Sequence, residues 1–267
     1  MEHLIPRDDA QSLLRRSTAQ VQTLLERLPV SSDTLIPHME WSVGELGAHL
    51  VQSAEVAVQL VDGVPSPYDR FDRIAEINDR FLDEKDERDL RVLSGQYRRA
   101  VSELDRKFRA LPDDARVPFH QGVVFSPAQA MAMYSGETLV HAWDLSAVTG
   151  RPIAIEPVDA RMILYAVATI LPKAVDEDAA RGFTGTYELQ IRDGACLRLH
   201  FEDGEMFVSD VEPGGPADCR ILADAPAFLL TGYGRGSQVA PIVTGKVLAW
   251  GRKPWLAGTF TNLVRSP

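Results

Sequence analysis

Glu137 and His141 stand four residues apart in the run Gly136-Glu137-Thr138-Leu139-Val140-His141-Ala142-Trp143-Asp144-Leu145. On a helix that spacing puts both side chains on one face, a turn apart, where a carboxylate oxygen and an imidazole nitrogen can converge on one cation. The same spacing also suits an ordinary surface pair worth a few tenths of a kcal/mol. What singles this pair out is its stripe: Ala130, Met133, Glu137, Val140, His141, Asp144 and Val148 recur at helical spacing and mix apolar with ionisable residues. An unpaired carboxylate on a buried face costs several kcal/mol, which leaves neutralisation, hydrogen bonding or a cation to resolve it. His49 lies on a line with Leu46, Val56 and Leu60 and is expected to face inward too, either as a ligand or as a satisfied core histidine. Two imidazoles and one carboxylate form a three-ligand set suited to zinc or a related divalent ion, with a coordination position left open. A thiol taken up at that position would be deprotonated by the ion's charge and become a nucleophile near neutral pH. Asp144, three residues after His141, either orients an imidazole from behind or caps and pairs locally.

The elements that must position these residues are helices. Asp8 to Leu28 carries Leu13, Leu14, Val21, Leu24 and Leu25 at helical spacing and stops before Pro29. Ser42-Val43-Gly44-Glu45 is a capping-box pattern opening an amphipathic run to about Val61. Asp69 to Leu82 and Glu87 to Leu111 are charged and amphipathic, and form two helices or one interrupted near Asp83 to Asp86. A polar, turn-rich connection from Pro112 to Phe125 leads to Ser126-Pro127, an N-cap followed by a proline suited to the first helical position. The helix it opens is predicted to run to Thr149 and stop at Gly150, with Pro152 just beyond. Four long helices with short links make a four-helix bundle the economical architecture.

Beyond about Pro157 the pattern changes. One more helix is predicted over Asp159 to Val175, and then Thr186 to Arg192 and Cys196 to Phe201 alternate polar and apolar residues around Asp193-Gly194, a hairpin signal. Glu205 to Val208 extends the sheet past a turn at Asp203-Gly204. Strands at Cys219 to Leu222 and Lys246 to Trp250, a short helix at Ala225 to Thr231 and a closing helix at Pro254 to Val264 complete an α+β half. The fold class is therefore mixed and multidomain: a helical bundle over residues 1–152 and a smaller α+β domain over residues 153–267.

Composition sets the outer limits. The 267 residues, 45% hydrophobic and 25% charged, describe an ordinary globular protein long enough for two cores. A net charge of −10 supplies no basic field, which argues against nucleic-acid and membrane-surface partners. No basic segment followed by an apolar run opens the chain, and the longest apolar window, Met162 to Leu171, is too short to span a bilayer, so a cytoplasmic location is expected. Cys196 and Cys219 are too few for a disulfide framework or a four-cysteine zinc site and read as buried free thiols. His3, His38, His120 and His200 have no matching partner in sequence and read as structural or exposed; Trp41 and Trp143 read as packing residues. The Gly232-Tyr233-Gly234-Arg235-Gly236 run neither follows a strong strand nor opens a long helix, so it is not a nucleotide fingerprint.

The stretch Trp41-Ser42-Val43-Gly44-Glu45-Leu46-Gly47-Ala48-His49-Leu50, followed in order by Gly136 to Leu145, resembles the paired signatures of the mycothiol-dependent maleylpyruvate isomerase family, within the DinB-like superfamily. The resemblance extends to the second half, where Asp224 to Leu230 and Gly245 to Gly251 are similar to the family's sterol-carrier-like C-terminal domain. It implies a DinB-like bundle that binds zinc through His49, Glu137 and His141, and mycothiol as thiol cosubstrate. It also implies an arginine of the C-terminal domain acting near the metal, for which Arg235 is the candidate by position, with plain surface solvation as the other reading. The expected activity is a metal-dependent isomerase or S-transferase in which the metal activates the thiol against a small electrophile. Two other functions stay open: a non-enzymatic lipid or small-molecule binding protein with a structural metal, and a metal-dependent hydrolase.

Overall fold

The computed structural model describes residues 2–237 and 239–265, so the outer ends of the two expected domains, at Met1 and at Ser266-Pro267, lie outside the described residues. The chain divides into two compact units: Ile5–Ile155, and Glu156–Pro267 together with Met1–Leu4.

The N-terminal unit is built on α1 (Arg7–Arg27), α2 (Val43–Val61), α3 (Ile74–Glu84), α4 (Leu90–Ala110) and α5 (Pro127–Ala147). α1 packs against α5 and α4, α2 packs against α4, α5 and α3, and so α1, α2, α4 and α5 form the four-helix bundle. The start of α2 is fixed by the capping box, in which Ser42 Oγ accepts the Glu45 N–H at 3.3 Å and Glu45 Oε2 accepts the Ser42 N–H at 2.7 Å. Ser126 and Gln129 do the same for α5, with Pro127 in the first turn. These two caps set the phase of the two helices that carry the candidate ligands. α5 is the central helix, buried on almost every side, and its small residues let α1 come close enough for Thr138 Oγ1 to donate to Ser17 Oγ at 3.0 Å.

Between α4 and α5 the expected irregular connection contains a two-residue antiparallel ribbon, β1 (Val117–Pro118) against β2 (Val124–Phe125), pairing Val117 with Phe125. Its tip, His120–Gly122, places Gln121 and Gly122 at φ 52° and 71°. The charged stretch from Asp69 to Leu111 holds two helices, α3 and α4, broken at Lys85 and restarted by Asp89, whose side chain accepts the backbone N–H groups of Arg91 and Val92. α5 stops at Ala147, three residues before Gly150, which turns back at φ 72°.

The C-terminal unit opens with α6 (Pro157–Ile170). The predicted helix to Val175 ends early because Pro172 has no N–H to donate and its ring crowds the carbonyl four residues back, so Leu171–Ala174 tightens into a 3-10 turn. After the short α7 (Glu177–Ala180) come β3 (Gly185–Ile191), β4 (Cys196–Glu202), β5 (Glu205–Val211), β6 (Cys219–Ala223), α8 (Ala225–Gly232), α9 (Ala240–Val243), β7 (Val247–Trp250) and α10 (Phe260–Leu263). The sheet order is β5-β4-β3-β6-β7, antiparallel except for the parallel pair β3 and β6. Tyr187, Leu189, Ile191, Leu197, Leu199, Phe201 and Ile221 are buried in its core. The expected closing helix over Pro254 to Val264 is a 3-10 turn, Pro254–Gly258, followed by α10. At the Asp193-Gly194 hairpin, Asp193 takes the positive φ of 56°, while Gly194 is needed for space: a Cβ there would sit 2.5 Å from Tyr165 Oη. Cys196 and Cys219 are buried free thiols. Among the described residues, no helix is long and apolar enough to cross a membrane.

Candidate metal centre

α2 and α5 bring His49, Glu137 and His141 to one point. Glu137 Oε1 lies 2.9 Å from His49 Nε2 and 3.3 Å from His141 Nε2, and one ligand atom from each of the three residues lies within 4.8 Å of the others. The imidazole rings meet edge to face, with centroids 5.2 Å apart at 83°. Both histidines are buried, whereas 29% of the Glu137 side chain is accessible, so one side of the cluster is open. Behind His141, Asp144 Oδ2 stands 3.0 Å from Nδ1 and is itself only 1% exposed. The geometry favours the orienting reading of Asp144: a carboxylate on Nδ1 fixes the tautomer that leaves Nε2 free to bind a cation.

The electrostatics follow from these contacts. Burial alone would raise the Glu137 carboxyl, but the charge and hydrogen bond of His141, with the hydrogen bond of His49, outweigh it and hold the group well below the ordinary carboxylate range. Burial works against a charged His141, yet the Glu137 charge and the hydrogen bond of Asp144 push it up to about 9. Two neutral imidazoles with the carboxylates of Glu137 and Asp144 carry a charge of about −2, which a divalent ion cancels. The donor set therefore fits such an ion, and three protein ligands leave it a further position for an incoming group.

Sequence spacing points to the candidate ligands His49, Glu137 and His141 and to Asp144, but not to the residues around them. His120, at the tip of the β1–β2 ribbon, makes a 2.6 Å hydrogen bond between its Nδ1 and Ser66 Oγ and lies 4.6 Å from the Tyr68 ring. Burial lowers it to about 4 against the opposing pull of Glu137. Tyr68 is pushed up to about 12 by burial, with the Gln52 hydrogen bond opposing and the Glu137 charge adding to the rise. Tyr97 and Tyr134 are raised by burial, and the Glu137 charge adds to it. Tyr134, three residues before Glu137 on α5, was legible from spacing; His120, Tyr68 and Tyr97 reach the carboxylate's field through tertiary packing. Trp41 stacks obliquely on His49 with centroids 4.9 Å apart. Arg235 belongs to the C-terminal unit, in the turn after α8, where its Nη1 donates to the Tyr233 carbonyl at 2.6 Å.

Residues 14–146 match the family model described as the mycothiol maleylpyruvate isomerase N-terminal domain. Among solved structures, a point mutant of a mycothiol-dependent maleylpyruvate isomerase is 17% identical, with 100% of this chain and 98% of that one covered at a TM-score of 0.57. The unmutated isomerase is 18% identical over the same shares, at a TM-score of 0.54. This likeness shows a shared fold over both units. Sterol carrier protein 2 from Yarrowia lipolytica is 18% identical over 34% of this chain and 86% of its own, with a TM-score of 0.25 that is too low to establish a common fold. No curated protein matches in sequence.

Proposed function

The chain belongs, through residues 14–146, to the mycothiol maleylpyruvate isomerase N-terminal domain family, and from that premise we propose that it is a metal-dependent enzyme using a mycothiol-type thiol on a small electrophile. The observation that carries the reading is the convergence of His49 Nε2, Glu137 Oε1 and His141 Nε2 from two helices, with Asp144 behind one imidazole. His49, Glu137 and His141 would hold zinc or another divalent ion. Such an ion supplies Lewis acidity that lowers the pKa of a thiol brought to its open position.

The chain's own residues do the rest. Asp144 accepts the Nδ1 proton of His141, so the proton that a cation would displace is the one on Nε2. The imidazoles and Tyr68, Tyr97 and Tyr134 are buried, and a low-dielectric surrounding of that kind strengthens charge interactions at the cluster. Glu137, held ionised well below neutral pH, anchors the set without consuming a proton. Thiolate addition to an activated double bond would form a C–S bond and turn the double bond into a rotatable single bond. Elimination would then break the C–S bond and give the trans isomer; release of the adduct instead would make the protein an S-transferase. Arg235 is our candidate for an arginine acting on the substrate from the C-terminal unit.

Metal analysis of the purified protein, paired with an activity screen using mycothiol against maleylpyruvate and other activated alkenes, tests this. The expected result is about one divalent ion per chain and thiol-dependent turnover. A zinc-loaded protein that neither consumes nor requires thiol with any of them overturns it.

A further inference from the structure

His141 and His49 are supported unequally. His141 Nδ1 meets Asp144 Oδ2, whereas His49 Nδ1 is buried and has no hydrogen-bond partner among the described residues. An imidazole that gives Nε2 to a cation must carry its proton on Nδ1, and a buried N–H left unpaired is destabilising. Trp41, packed on the His49 ring, can only donate a hydrogen bond, so it cannot take that proton.

An acceptor stands one turn along the same helix. Gln52 is three residues after His49 on α2, is 3% exposed, and its Oε1 is buried without a partner among the described residues. The two ends of its amide are told apart by their neighbours. Gln52 Nε2 donates to Tyr68 Oη at 2.9 Å, and Tyr68 Oη donates in turn to Asn78 Oδ1 at 2.8 Å, which leaves the carbonyl end as the unsatisfied one. The spacing is also the one already in use at the other ligand, since Asp144 is three residues after His141 and reaches its Nδ1 at 3.0 Å. Two orphaned buried atoms of opposite kind, an imidazole nitrogen and a carbonyl oxygen, therefore sit on residues with the three-residue spacing that is bonded on α5; no hydrogen bond joins them in the structure, and a side-chain rotation is what would close it.

We infer that Gln52 is the positioning residue for His49, its Oε1 accepting the Nδ1 proton as Asp144 does for His141. The inference rests on the ligand assignment proposed above. Tyr68 and Asn78 fix which end of the amide faces them, and so leave the carbonyl end as the one able to accept.

The test uses the full-length protein loaded with zinc. Zinc affinity is measured by chelator competition, and the imidazole N–H protons are observed by nitrogen-edited NMR. Wild type is expected to show two slowly exchanging, downfield Nδ1–H signals, one from each histidine. Gln52→Met, close in shape but without an acceptor, is expected to lose the His49 signal alone and to bind zinc about 10–100-fold more weakly. Gln52→Glu, which restores an acceptor, is expected to recover both. Tyr68→Phe keeps the acceptor and should lose less than Gln52→Met. Equal zinc affinity and an unchanged His49 signal in Gln52→Met overturn the inference, as does an equal loss in Gln52→Met and Gln52→Glu, which would make the role one of packing. Absence of a protected His49 Nδ1–H in zinc-loaded wild type overturns it even if Gln52→Met does not fold. A wild type that binds no zinc removes the ligand assignment itself, a failure distinct from the others.

Discussion

Lowering the pH should release the metal through one identified proton. His141 is held at about 9 in the metal-free site, so near neutral pH it carries a proton on the nitrogen a cation needs. Glu137 lies well below the carboxylate range and stays ionised throughout, contributing no proton in this window. Because His141 is raised, the proton on its Nε2 competes with binding below about pH 9, and that proton alone costs tenfold in apparent affinity for each unit of acidification. From pH 8 to 6 the loss is roughly 100-fold, about 2.7 kcal/mol at 1.36 kcal/mol per unit. Asp144→Asn keeps an acceptor 3.0 Å from His141 but removes one of the charges that raise it, so the break should move below pH 9. In the same variant the high-pH plateau should fall about 10–100-fold, as expected when an outer partner of a metal ligand is weakened. Chelator competition at fixed ionic strength, corrected for the chelator's own protonation, reads both quantities. A wild-type affinity that does not change between pH 6 and 8 would refute the claim that the protonated nitrogen and the ligating nitrogen are the same.

Three further outcomes follow from the same contacts. His49→Ala or His141→Ala should abolish zinc binding in elemental analysis while far-UV circular dichroism stays near wild type, because the bundle is held by its apolar stripes; full zinc occupancy in both variants would remove them from the ligand set. His120 is lowered to about 4 from an ordinary value near 6.5, so the stability it confers is complete above pH 6.5 and is lost as pH falls toward 4. Chelator-treated wild type should therefore lose about 3 kcal/mol more than His120→Asn between pH 7 and 4 in denaturant titrations, and parallel curves would contradict this. Gly194→Ala should destabilise the C-terminal unit by about 1–3 kcal/mol in thermal unfolding, since the new Cβ meets Tyr165 Oη at 2.5 Å and Arg161 Cδ at 2.7 Å. An unchanged melting temperature would mean that Tyr165 moves aside without cost.

The parts of this molecule that could be read from its sequence are those fixed by local chemistry. Ser42 with Glu45, and Ser126 with Pro127 and Gln129, announce two helix starts, and once a start is fixed the 3.6-residue period decides that His49, Glu137, His141 and Asp144 point inward. The parts that could not be read depend on approach between distant segments. A ribbon of two residues per strand has no period to detect, so nothing in Val117 to Phe125 foretells that His120 bonds Ser66 and packs on Tyr68. Pro172 was a visible breaker inside an apolar run whose periodicity continued past it, and the missing N–H overrode the period. Arg235 differs in kind: no spacing or capping rule touches it, and its role rests on resemblance alone.

The charge of the centre ties these residues to one chemistry. With both imidazoles neutral, Glu137 and Asp144 bring it to about −2. A divalent ion bound there would sit in a nearly neutral set. Added anionic charge would bind the ion more tightly, but it would also weaken the field that the ion exerts on an incoming thiol, whose proton leaves only if the thiolate is the better partner. A site built for retention alone gains from a fourth ligand and from more negative charge. This one leaves Glu137 partly accessible, holds its charge at the value one divalent ion would cancel, and supports the His141 imidazole from behind rather than from the open side. That arrangement favours transient binding and activation of an anionic sulfur over permanent structural coordination.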